Sequence, residues 1–111
     1  MQIDPCPFRS IAFEKLDIQH MAGASPSAAV FKQADAGGMR MRIVSYAPGY
    51  VADHWCDIGH FGYVLWGCVA IDLKEKPTVH LSEGEAFIVS SYGDASHRLR
   101  AETGARLLLL D

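Results

Sequence analysis

Three histidines and one cysteine, His54, Cys56, His60 and His97, carry the nitrogen and sulfur donors that transition metals take. Their spacing lets alternating strands turn all of them inward around one ion. In a strand, residues i and i+2 share a face, so His54 and Cys56 point one way while Asp53 and Trp55 point the other. His60 opens an apolar run, FGYVLWG, and a short turn over Asp57 to Gly59 folds that run back beside the first pair. His97 heads the alternating segment His97, Arg98, Leu99, Arg100, Ala101, which keeps histidine, leucine and alanine inward and both arginines in water. The expectation is one cavity lined by all four.

The elements that must position these residues read as short strands. Gly, Pro and Asp punctuate the chain every several residues, and the segments between them favour Val, Ile, Leu, Tyr and Phe. Strands are predicted at Ala28 to Ala34, Met39 to Ala47, Val51 to Cys56, His60 to Trp66, Cys68 to Lys74, Thr78 to Leu81, Ala86 to Ser90, His97 to Ala101 and Ala105 to Leu110. The turns between them have fitting chemistry, at Asp35 to Gly38, Pro48-Gly49, Glu75 to Pro77, Ser82 to Gly84 and Thr103-Gly104. This rhythm predicts an all-β barrel or sandwich. Residues 1–27 are read as an amino-terminal arm that covers a sheet edge or reaches a neighbouring subunit, and residues 28–111 as the barrel.

The chain has 111 residues, enough for one ordinary core and no second domain. A formal charge of −3, with ten scattered basic residues, leaves no electrostatic footprint for nucleic acid or an anionic membrane. The opening MQIDPCPFRSI lacks a signal-peptide pattern, and the longest apolar stretch, FGYVLWGCVAI, is too short to span a bilayer. The expected setting is the cytoplasm. Cys6, Cys56 and Cys68 cannot all pair within one chain, which argues against a disulfide scaffold; Cys68 is expected to be inert core. Leu107 to Leu110 is apolar on both faces of a strand, so a partner subunit is expected to cover one of them, making a homodimer.

The segment from Gly49 to Ala101 resembles a cupin. The first cupin motif runs from a glycine to a histidine, a second histidine two residues on, a glutamate about four later and a glycine after that. Here Gly49, His54 and Gly67 match, Cys56 stands at the second histidine and His60 at the glutamate. The second motif runs from a glycine to a histidine, and GEAFIVSSYGDASH supplies Gly84 and His97, without the usual proline and with a longer loop over Ser90 to Ser96. The run Asp53-His54-Trp55-Cys56 is similar to one carried by a subgroup of small cupins. The resemblance implies a double-stranded β-helix, or jelly-roll, barrel with a metal held by His54, Cys56, His60 and His97. Cysteine and histidine in place of histidine and carboxylate remove the hard oxygen ligand, shifting preference from manganese or calcium towards zinc, with nickel, copper or iron as alternatives.

Three function classes stay open. The chain is a metal-dependent enzyme acting on a small polar metabolite, a module that binds a small ligand without chemistry, or a redox-responsive protein using the Cys56 thiol. Bland roles compete for several residues. Trp55, Trp66, Tyr46, Tyr63 and Phe87 are expected to pack the interior, and His20 and His80 to be solvated. Asp53 and Asp94 either orient ligand histidines or shape turns, with turn duty favoured for Asp94.

Overall fold

The computed structural model describes residues 2–92 and 96–111. Asp94 lies outside them, as does the centre of the Ser90 to Ser96 loop. After a short 3-10 turn at Phe13–Lys15, the described residues form strands β1 (Gln19–Met21), β2 (Ala29–Ala36), β3 (Met39–Tyr46), β4 (Tyr50–Val51), β5 (His60–Leu73), β6 (Lys76–Ser82), β7 (Ala86–Val89), β8 (His97–Ala101) and β9 (Ala105–Leu110). All pairings are antiparallel, in the order β1-β2-β3-β9-β5-β8-β4, with β6 and β7 also on β5. The all-β barrel expected from the punctuation is present.

The two strands predicted at His60 to Trp66 and Cys68 to Lys74 are one continuous strand. Gly67 does not interrupt the pairing: its backbone stays in the ladder at φ +78°, pressed so close to Gly104 and Ala105 that a Cβ would collide with their backbone. The register shift between Val64 and Trp66 bends the strand there. Its first half pairs with β7 and β9, and its second half with β6 and β8, so β5 belongs to both walls of the barrel. The following turn also sits earlier than predicted, at Lys74 and Glu75, with Lys76 and Pro77 already in β6. Proline fits because its position falls at the register shift between Ile71 and Leu73.

Inward-facing residues alternate as the pleat requires. Val44, Val64 and Leu107 are fully buried at the centre, with Tyr46, Tyr50, Ile71, Leu81 and Leu109 around them. Ahead of the barrel, β1 adds to the free edge of β2, and Asp4 N–H donates to the Gly37 carbonyl.

Candidate metal centre and ligand cavity

His54, Cys56, His60 and His97 all line one cavity of about 170 Å³, with Tyr46, Tyr50, Phe87, Leu99 and Leu109 among its walls. His60 begins β5 on the same face as Gly62 and the buried Val64. Gly62 matters here because the Phe87 ring occupies the space a Cβ would take. That ring then meets His60 edge-on at 5.8 Å between centroids. His97 begins β8 and is 4% exposed. The two imidazoles meet with Nε2 atoms 3.1 Å apart, one donating to the other. Cys56 lies opposite His97 in an isolated bridge, its N–H donating to the His97 carbonyl at 2.8 Å and its carbonyl accepting from the His97 N–H at 3.0 Å. Directly opposed residues of an antiparallel pair project from the same face, so Cys56 shares the face of His97, with its Sγ 3.9 Å from the Ile58 carbonyl.

His54 differs from the expected inward position. The strand predicted over Val51 to Cys56 ends at Val51, although Ala52 N–H still donates to the Leu99 carbonyl. From there to the Cys56–His97 bridge this chain takes four steps while β8 takes two, so the intervening residues bulge out of the ladder. The bulge breaks the alternation on which the sequence reading relied. His54 has 74% of its side chain exposed at the cavity mouth, and its Nδ1 is 2.6 Å from Asp53 Oδ1, on the same side rather than the opposite one. Trp55 does face away, under the Arg98 guanidinium at 4.9 Å and the Lys74 ammonium at 5.6 Å. Among the described residues, no three histidine, cysteine or carboxylate side chains converge tightly enough to hold an ion as they stand.

Burial, and then the neighbouring His97, push the His60 pKa down to about 4, so His60 is neutral at physiological pH and suited to act as a nitrogen donor. Burial raises the hydroxyl pKa of Tyr46 and Tyr50, which stay protonated. The site also holds a charge that the sequence reading missed. Arg42 shares the inward face of β3 with Val44 and Tyr46, lines the cavity, and keeps only 13% of its side chain exposed. The signal was the alternation in MRMRIVSY, where Arg42 falls in step with Val44 and Tyr46. Met41 and Ile43 make the opposite face equally apolar, and the inward face was therefore ambiguous.

Comparison with solved structures decides the fold. An RmlC-like cupin from Shewanella frigidimarina superposes with a TM-score of 0.73 at 17% identity, covering 99% of this chain and 92% of that one. The fold is that of a cupin. Ectoine synthase from P. lautus matches this cupin barrel with a TM-score of 0.74 at 14% identity, covering 93% and 76% of the two chains. A sugar phosphate isomerase of the cupin superfamily from Silicibacter pomeroyi gives 0.72 at 13% identity, covering 92% and 74%. No family model matches the sequence, and no curated protein does.

Several residues of the cupin barrel sit elsewhere than expected. Cys68 is exposed, with its sulfur 3.5 Å from the Thr103 hydroxyl, because it follows the bend at Gly67 on the outward side. Trp66 and Tyr63 are 57% and 37% exposed on the outer face of β5 instead of packing inside. Arg98 and Arg100 are not free in water; both bind Asp72 across the outer face. His20 and His80 are exposed as expected.

Proposed function

We propose that this cupin binds one transition metal at the cavity and acts as a metal-dependent enzyme on a small polar metabolite. The observation that carries the reading is the His60–His97 pair. The Nε2 atoms lie 3.1 Å apart, close enough that both imidazoles could serve as ligands of one ion. In this reading His60 and His97 anchor the ion, the neighbouring Cys56 thiolate gives a third donor, and His54 swings in from the mouth to give a fourth. Asp53 then holds the far nitrogen of His54 and fixes its tautomer. Zinc suits that nitrogen and sulfur set, with nickel, copper and iron as alternatives. When bound, the ion would supply a fixed positive charge to polarise a ligand oxygen, which requires a coordination position beyond the four protein donors, as in a five- or six-coordinate ion, or His54 left at the mouth. The aromatic wall of Tyr46, Tyr50 and Phe87 excludes water from the bound metabolite. Ectoine synthase and a sugar phosphate isomerase among the structural neighbours are consistent with enzymatic work on small metabolites.

Protein purified without chelator or nickel resin should contain about one equivalent of metal per chain. His60→Ala and His97→Ala should lose it, and Cys56→Ser should lose more than Cys68→Ser. Absence of metal by elemental analysis, with no stabilisation on adding zinc, nickel, copper or iron, would refute the reading.

A second reading is favoured by the position of Cys56, which lines the cavity without being buried and makes a redox-responsive thiol reachable. Fast alkylation of Cys56 in metal-replete protein would put this reading ahead. The free cysteines suit a reducing cytoplasm. A homodimer would cover the outward residues Ile43, Tyr63 and Leu108, aligned across β3, β9 and β5, and the neighbouring Ile88, which is 84% exposed. Light scattering tests it.

A further inference from the structure

Arg42 occupies a place where a positive charge is costly. A guanidinium taken out of water needs a full set of partners, and its carboxylate neighbour is largely committed elsewhere. Asp111 accepts from Arg40 Nε at 2.8 Å and from Arg40 Nη2 at 2.6 Å, a two-pronged pair. Arg42 keeps one long contact, Nη2 to Asp111 Oδ2 at 3.5 Å. Its Nε is buried without a hydrogen-bond partner among the described residues. Two arginine side chains thus share one carboxylate, and the surplus charge lies on the one that lines the cavity. Asp53, which does line the cavity, is engaged with His54.

We propose that Arg42 is the anion-recognising residue of this cavity, and that its ligand carries a carboxylate on a small apolar body. The proposal builds on the reading of the cavity as the working site and names its ligand class. A carboxylate presents two coplanar oxygens that match a guanidinium edge, and Arg42 lines the cavity with its charge only weakly paired. Of the two arginines on the cavity wall, Arg98 is held by the Trp55 ring and by Asp72 at 3.4 Å, so the weakly held charge is that of Arg42, and it calls for a monoanion. A phosphate would bring a second charge that the one weakly held guanidinium does not balance, and would set it against the apolar part of the wall formed by Phe87, Ile71, Leu99 and Leu109. The volume of about 170 Å³ limits the body to a few carbons or one ring. Burial, and then Arg40, lower the Arg42 pKa, so an arriving anion relieves both stresses at once.

Calorimetric titration with propanoate, 3-methylbutanoate and benzoate, each against its matching amide, tests this in protein as purified and after chelation. The acids should bind at least about tenfold more tightly than the amides in both states, since a charge-assisted pair outweighs its neutral counterpart by that much. Arg42→Gln should abolish the preference. Arg40→Gln, which releases Asp111 onto Arg42, should weaken acid binding, and Asp111→Asn should strengthen it. Neither of those residues lines the cavity, so these variants carry the test if Arg42→Gln misfolds. Equal binding of acids and amides, no binding of any acid, or a preference that survives in Arg42→Gln would overturn the proposal. Metal content separates the two readings. A preference without metal refutes the metal centre alone, and metal without a preference refutes the role of Arg42 alone.

Discussion

Two clusters in this barrel have the same composition, one aspartate and two arginines, and opposite outcomes. On the outer face, Asp72 receives Arg100 Nε and Nη2 at 2.8 and 2.9 Å, Arg98 at 3.4 Å and the Thr78 hydroxyl at 2.9 Å. The second arginine is supported twice, by the carboxylate and by the Trp55 ring beneath it. At the opposite wall, Asp111 is gripped by Arg40, and Arg42 has neither a short ion pair nor a described aromatic partner. The outer cluster ties β5, β6 and β8 together. The inner one leaves a charge facing a cavity. Arg98 and Arg42 each keep one long contact to the shared carboxylate and a buried Nε without a hydrogen-bond partner among the described residues, so the difference lies in the ring: the second arginine is structural where an aromatic face holds it, and available for binding where no described ring does.

The comparison breaks most readily at Asp72. Donation by Arg100, and then by Thr78 and Arg98, holds its pKa down at about 2. A carboxylate depressed in the folded state stabilises above its unfolded pKa near 4 and loses that contribution as pH falls towards 2. Asp72→Asn should therefore lower unfolding free energy at neutral pH by about 1–2 kcal/mol, after allowance for the nearby solvent. Urea denaturation at pH 7 and at pH 2 should show the gap closing in acid, and a gap unchanged with pH would place the stabilisation elsewhere.

A smaller effect is expected from Trp55→Ala, which removes the ring under Arg98 and Lys74. Loss of about 0.5–1 kcal/mol is the scale of exposed cation–π contacts. A double-mutant cycle with Arg98→Met isolates that coupling, and additive losses would show the ring acts only by packing.

The smallest effect on stability should come from Arg42→Met. Replacing an under-paired buried charge by an apolar chain of similar length is expected to be neutral or mildly stabilising, within about 1 kcal/mol, whereas Arg100→Met should destabilise. A large loss from Arg42→Met in denaturant titration would mean that the inner cluster is as structural as the outer one, and the contrast would collapse.

Most of the barrel was legible because one face of each strand must be buried and the turns require particular residues. The strands at Met39, His97 and Ala105 fall where alternation and flanking glycines place them. What escaped has local physical causes. Gly67 looks the same in sequence whether it breaks a strand or lets it bend beneath a neighbouring backbone, and only the closeness of Gly104 distinguishes the two. The bulge before Cys56 is invisible because its register is set by bonds to β8, nearly fifty positions away in the chain on the Ala52 side. Proximity of Cys56, His60 and His97 was legible from their spacing, and the outward turn of His54 was not. Arg42 stands outside the metal-donor pattern because a guanidinium does not coordinate, and its alternation with Val44 and Tyr46 is matched by Met41 and Ile43 on the other face.

The placement of β9 bears on how the chain reaches this form. Strands β1 to β3 make a meander early in the chain, but in the described structure they join β5 through β9 alone, and β9 follows every other strand in sequence. During synthesis the first meander must wait, with one edge open, until Ala105–Leu110 has emerged to bridge it to the rest. Closure of the barrel is thus a late, long-range event, and the interval before it is when the exposed β3 edge is most open to the wrong partner.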